Sequence, residues 1–123
     1  MTAAYLHGTW TLKQQNGGPK ELKMKVDDSG GISLSLSGDP IPSFQGAIFA
    51  SQPNEDGEKP VLMSIYSTVA NADMGLSITN YTGNLIDTNN MAGTAMGTID
   101  YSTQTKENKA DIDIFYWTAE RVG

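Results

Sequence analysis

Apolar and polar residues alternate along much of the chain. In "KELKMKVDD", Leu22, Met24 and Val26 share one face and Lys23 and Lys25 the other; in "GISLSLS", Ile32, Leu34 and Leu36 oppose Ser33, Ser35 and Ser37. A period of two is that of a β-strand with one wet face. Gly, Ser, Thr and Asn punctuate the apolar runs at regular spacing, the pattern of an all-β chain. No segment sustains a 3.6-residue period, so little or no helix is expected. Turn signals taken as boundaries predict strands over residues 8–15, 20–27, 31–37, 41–51, 61–68, 74–85, 90–100 and 110–122. Most breaks are short, as antiparallel hairpins require. The polar, proline-bracketed "QPNEDGEKP" is expected to be a mobile surface loop. Eight short consecutive strands suit an eight-stranded antiparallel up-and-down β-barrel, because closure removes the edges a flat sheet leaves exposed. The interior of such a barrel is either filled by side chains or holds one small ligand.

Two middle strands depart from alternation. "SFQGAIFA" and "VLMSIYS" are apolar on both faces, as a strand buried on both sides is. In a single-layer barrel the outer face then needs a cover, most simply another subunit. The expected partner is a second copy, in a homo-oligomer and most simply a dimer, through outward apolar residues of strands four, five or eight. The alternative is a packed core with scattered apolar surface residues.

The two ends of the chain carry its two tryptophans and its lone arginine: Trp10 in "HGTWTL", and Trp117 and Arg121 in "FYWTAERVG". First and last strands must pair to close a barrel, which brings Arg121 to the end where Trp10 begins. A large flat side chain there plugs the floor, and a guanidinium over the indole adds roughly 1 kcal/mol or more when desolvated. Trp10 and Arg121 are therefore the expected structural closure. "GTW" with a basic residue from the last strand over that Trp resembles the calycin superfamily of lipocalins and avidins. Strand count and the lack of a helical pattern fit the avidin-like size better. The chain is also similar to small bacterial barrel domains of unknown role. They open "GTWTL" (residues 8–12 here), carry a hairpin of the type "YTGNLIDTNNMAGT" (81–94) and end in a pattern matched by "WTAER" (117–121). The likeness covers most of the chain in pattern and concerns structural residues, so it implies fold far more than activity. Biotin binding is not carried over: avidins line that site with tryptophans from later strands, and strands five to seven have none here.

At 123 residues the chain is expected to be one domain spanning 1–123. It has no Cys, hence no disulfide and no thiolate chemistry. "MTAAYLHGTW" lacks a basic segment followed by an apolar run, and no apolar run reaches membrane-spanning length, so a cytoplasmic location and no membrane partner are expected. The net charge of −6, with acids dispersed and no basic stripe, argues against nucleic acid as a partner.

His7, the only histidine, precedes the first strand near the barrel floor, so Ser–His–Asp hydrolysis is not expected, and one His with no Cys excludes the common zinc patterns. "DDSGG" and "PNEDGE" lack calcium-loop spacing and no phosphate-cradling Gly loop is present, so neither metal nor cofactor is expected. In "ADIDIFYW", one phase of the last strand points Asp111, Asp113, Phe115 and Trp117 inward; the other points Ile112, Ile114 and Tyr116 inward and leaves the acids in solvent. If inward, Asp113 is the candidate general acid or base, and Tyr66 is a second catalytic candidate. Ser64, Tyr66 and Thr68 on strand five, and Ser77, Thr79 and Tyr81 on strand six, each share a face. Tyr66, Tyr81, Ser64, Thr68, Thr79 and Asp111 are the candidate ligand contacts, since Tyr and hydroxyl groups among apolar neighbours orient a guest. Met24, Met63, Met74, Met91 and Met96 offer adaptable packing. Three functions follow: a binder of a small, mostly apolar molecule; a cofactor-independent cyclase or isomerase folding a flexible apolar substrate in the same cavity, which needs a shaped pocket and one or two polar groups; or a structural barrel with a filled core.

Overall fold

Alternation becomes register in the computed structural model, which describes residues 4–15, 22–50, 55–67, 76–100 and 110–122. A single 3-10 turn, Ala4–Leu6, precedes eight strands: β1 Gly8–Gln14, β2 Leu22–Val26, β3 Gly31–Leu36, β4 Asp39–Ala50, β5 Lys59–Ser67, β6 Leu76–Asp87, β7 Asn90–Asp100 and β8 Ala110–Arg121. Each pairs antiparallel with the next, and β8 pairs with β1 from Trp10↔Arg121 to Gln14↔Trp117, so the barrel is closed. The fold class is the expected one.

The β2–β3 and β6–β7 turns lie at the same end as Trp10, and each is organised by one Asp. Asp27 Oδ1 accepts from the Ser29 and Gly31 amides at 3.0 and 2.8 Å and from the Ser29 hydroxyl at 2.8 Å. Asp87 accepts from the Asn89 amide at 2.8 Å and the Asn90 side chain at 2.9 and 3.0 Å. These bonds favour the ionised form and hold both carboxyls below their ordinary range.

Inward residues fill the half of the barrel around Trp10. Trp10, Leu12, Met24, Ile48, Met63, Met91 and Trp117 are essentially inaccessible to solvent. Met24, Met63 and Met91 thus pack this core, Met96 is exposed on the outer wall, and Met74 lies outside the described residues. The phase of β8 is settled: Phe115, Trp117 and Ala119 are buried, while Ile112, Ile114 and Tyr116 face out. A seat for Trp117 fixes this choice. Gly83 pairs with Gly93 and Gly93 with Trp117. A Cβ on Gly93 would lie 1.9 Å from the Thr82 carbonyl oxygen, and one on Gly83 2.1 Å from that of Ala92. Only two glycines allow so close an approach of β6 and β7. Trp117 Nε1 donates there to the carbonyls of Thr94 and Thr82 at 3.1 and 3.3 Å.

One strand pair is irregular. Between Ser33↔Gln45 and Ser35↔Pro40 the register jumps, so residues 41–44 of β4 lie opposite Leu34 alone. Pro40 and Pro42 supply no N–H, which suits a broken ladder. The excursion brings Ile41 and Phe44 against the core.

Outward residues differ around the circumference. β1 and β2 present Lys13, Lys23 and Lys25. Across β4 to β8 run three rows: Phe49–Leu62–Thr82–Thr94–Tyr116, Ala47–Ser64–Asn80–Met96–Ile114 and Gln45–Tyr66–Ile78–Thr98–Ile112. None of these residues is charged.

Candidate functional site

The floor of the barrel is closed first. Trp10 Nε1 donates to the Leu6 carbonyl at 3.0 Å, tying the indole to the 3-10 turn. Arg121 Cζ lies 4.3 Å from the centroid of that indole. Its guanidinium also donates to three carbonyls: His7 at 2.6 Å, Thr88 at 3.2 Å, and Tyr5. One planar cation therefore joins the start of the chain, the β6–β7 turn and the Trp10 face, a task suited to five donors in a rigid fork. Gly8 has φ +124°, and a Cβ there would meet Arg121 Nη1 at 3.0 Å, so the Gly of "GTW" makes room for this cation.

A guest must enter from the other end. There the inward positions continue above the Trp117 layer. Tyr81, Phe115 and Trp117 form that layer, with Tyr81 edge-on to Phe115 at 6.2 Å and to Trp117 at 5.6 Å between centroids. Tyr81 is buried, and its hydroxyl donates to Gln14 Oε1 at 2.8 Å. Burial pushes the phenol well above its ordinary value, against a smaller opposing effect of a hydrogen bond with Thr79, so the hydroxyl stays protonated and keeps its bond to Gln14. Two adjoining cavities open above this layer. One, of about 240 Å³, has an apolar wall of Leu22, Leu34, Ile41, Phe44 and Ile65 and a polar wall of Gln14, Ser77, Thr79 and Tyr81. The other, of about 230 Å³, shares Gln14, Ser77 and Thr79 and extends over Gly97 and Phe115 to Asp111 and Asp113.

Of the sequence-predicted site residues, Thr79, Tyr81, Asp111 and Asp113 line this mouth. Tyr66 and Ser64 do not, and their assignment to the cavity is corrected. Val61, Met63 and Ile65 take the inner positions of β5, which leaves Tyr66 exposed on the outer wall and Ser64 bonded to Asn80 there at 2.6 Å. Tyr66 is thereby also removed from the catalytic candidates of the cavity, which leaves Asp113 there. Thr68 lies outside the described residues. Gln14, Ile41 and Phe44 are additions. Gln14 was legible, because it continues the Trp10–Leu12 face of β1; Ile41 and Phe44 depend on the β4 irregularity, which no periodicity announces.

Among the described residues, no group of three His, Asp or Glu could hold a metal ion, and no helix is long and apolar enough to cross a membrane. No protein-family model, no curated protein and no solved structure matches the chain.

Proposed function

We propose that the protein is a calycin-like barrel that binds one small, mostly apolar molecule at its open mouth. The observation that carries this reading is the two-sided cavity: five apolar side chains face four polar ones across a space of about 240 Å³. A cavity of about 150 Å³ already admits benzene. With the adjoining space, the mouth reaches the lower range of small-molecule pockets, about 300–1,000 Å³. The guest lays its apolar body on Leu22, Leu34, Phe44 and Ile65. A carbonyl or hydroxyl at its other end meets Thr79 and the Gln14–Tyr81 pair, and a hydrogen-bond donor reaches Asp111 or Asp113. The calycin assignment rests on the closed eight-stranded barrel and on Arg121 over Trp10 behind the Gly of "GTW".

Native mass spectrometry of protein purified from its own host, with titration of the uncharged dye 1-aminoanthracene, tests the proposal. Expected are a small retained adduct and saturable dye fluorescence, both lost in Thr79→Trp, which fills the mouth. Neither adduct nor saturable fluorescence in the wild type would leave a structural barrel as the better account. If the adduct is instead turned over, Asp113→Asn separates the readings: an enzyme using that carboxylate slows by about 10²–10⁴-fold, whereas a binder changes little.

A further inference from the structure

The outer wall of β4–β8 combines size, apolar character and neutrality. Eight large apolar side chains on it, Phe49, Leu62, Ile112, Ile114 and Tyr116 among them, are 41 to 73% exposed. At about 200 Å² for a large side chain, they leave on the order of 900 Å² of apolar surface open to solvent. The largest such patch on a typical monomer is about 300–600 Å². One partner of a standard stable interface buries about 800 Å²; the wall curves round five of the eight strands, so a dimer draws on adjoining strands within it rather than on the whole area.

Charge selects the occupant. The chain carries −6 overall, so two copies repel wherever their acids meet. A two-fold interface also sets each residue near the dyad against its own copy, where any charge faces itself. The described acids lie at the turns, at the two ends of the barrel or at Glu120, outside the three rows. Two of the wall's polar contacts are internal to it: Ser64 donates to Asn80 at 2.6 Å, and the Thr82 hydroxyl lies 3.4 Å from the Thr94 carbonyl. We infer that this wall is the docking face for a second copy of the chain, in a two-fold dimer that packs the walls of two barrels together and leaves both mouths open.

Sedimentation equilibrium of the full chain tests this, with Ile114→Lys and Leu62→Lys on the wall and Ser33→Lys on the outer face of β3. Wild type is expected to be a dimer at low micromolar concentration. Each wall variant is expected to weaken dimerisation by roughly 100-fold or more, because an unpaired charge is buried and a two-fold interface holds it twice. Ser33→Lys should leave the dimer intact, and near-ultraviolet circular dichroism should show all three variants folded. A wild type that remains monomeric at about 100 µM overturns the inference. So does a dimer insensitive to both wall variants, or one disrupted equally by Ser33→Lys. Monomeric wild type that binds neutral phosphatidylcholine vesicles would assign the wall to a lipid surface instead. Because the mouth lies outside this face, Thr79→Trp should abolish dye binding without changing the sedimentation, so the two readings fail independently.

Discussion

Arg121→Ala is the substitution that tests the closure most directly. Four interactions end with it: the stack on Trp10 at 4.3 Å and the bonds to the carbonyls of His7, Thr88 and Tyr5. A desolvated cation–π contact contributes up to about 2 kcal/mol. A hydrogen bond involving a charged group contributes about 1.5–3 kcal/mol in a dry site. This guanidinium is only partly buried, so water replaces it at the carbonyls, and the three bonds together are discounted to about 1–2 kcal/mol. The expected loss is therefore about 2–4 kcal/mol. For a domain of 123 residues that corresponds to a fall in Tm of roughly 8–15 °C. Urea unfolding followed by tryptophan fluorescence, with a thermal melt beside it, measures both. Arg121→Lys keeps the charge, but one ammonium cannot reach three carbonyls and lie flat on an indole, so it should recover less than half of the loss. A Tm for Arg121→Ala within about 2 °C of wild type would refute the closure argument. Full recovery by Lys would refute the geometric part and leave only charge.

Gly93→Ala should be among the most damaging single changes, costing about 3 kcal/mol or more or preventing folding, because the new methyl would sit 1.9 Å from the Thr82 carbonyl oxygen; soluble yield and the urea midpoint report it. Tyr81→Phe should cost about 1 kcal/mol at neutral pH, from the lost bond to Gln14. The folded phenol titrates above the unfolded one, so its stabilisation is complete below about pH 10 and lost as pH rises beyond it; alkaline melts of the Phe variant should fall less steeply than wild type. Asp87 shows the reverse case. Its folded carboxyl titrates below the unfolded one, so its stabilisation is present above about pH 4 and lost as pH falls further; acid unfolding of Asp87→Asn should show a shallower dependence on pH over that range.

The barrel was legible because strand signals are local. Period-two runs, turn residues and the terminal Trp–Arg pair each needed a few residues of context, and strand ends fall within a few residues of expectation. The site was legible only where the phase of a strand was. On β6, Tyr81 and Thr79 alternate with the polar Asn80, and the inward reading held. On β5, Val61, Met63 and Ile65 alternate with Leu62 and Tyr66, so both faces are apolar and hydrophobicity cannot choose between them. The phase of β8 was ambiguous for the same reason. It is set by Gly93, opposite Trp117 on the neighbouring strand, and by Gly83 one strand further, at a level four and six residues along β8 from Asp113 and Asp111.

That recess also decides how much of the barrel a guest can use. Without it Trp117 could not reach the Thr82 and Thr94 carbonyls, and its indole would stand higher in the barrel, where the mouth now opens. The seated indole, capped by Tyr81 and Phe115, divides the interior into a packed lower half and a receptive upper one. Stability and binding should then separate along the axis. Substitutions below the layer, such as Met24→Ala beside Trp10, remove buried contacts and should cost about 2–5 kcal/mol while leaving dye affinity within a few-fold of wild type. Substitutions above it, such as Ser77→Ala or Thr79→Val, should change dye affinity with a Tm shift of at most about 2 °C. Measuring both quantities on both sets decides the matter. If affinity tracks Tm across all the variants, the mouth is not a separate site, and the layer of Tyr81, Phe115 and Trp117 is not the floor on which a guest rests.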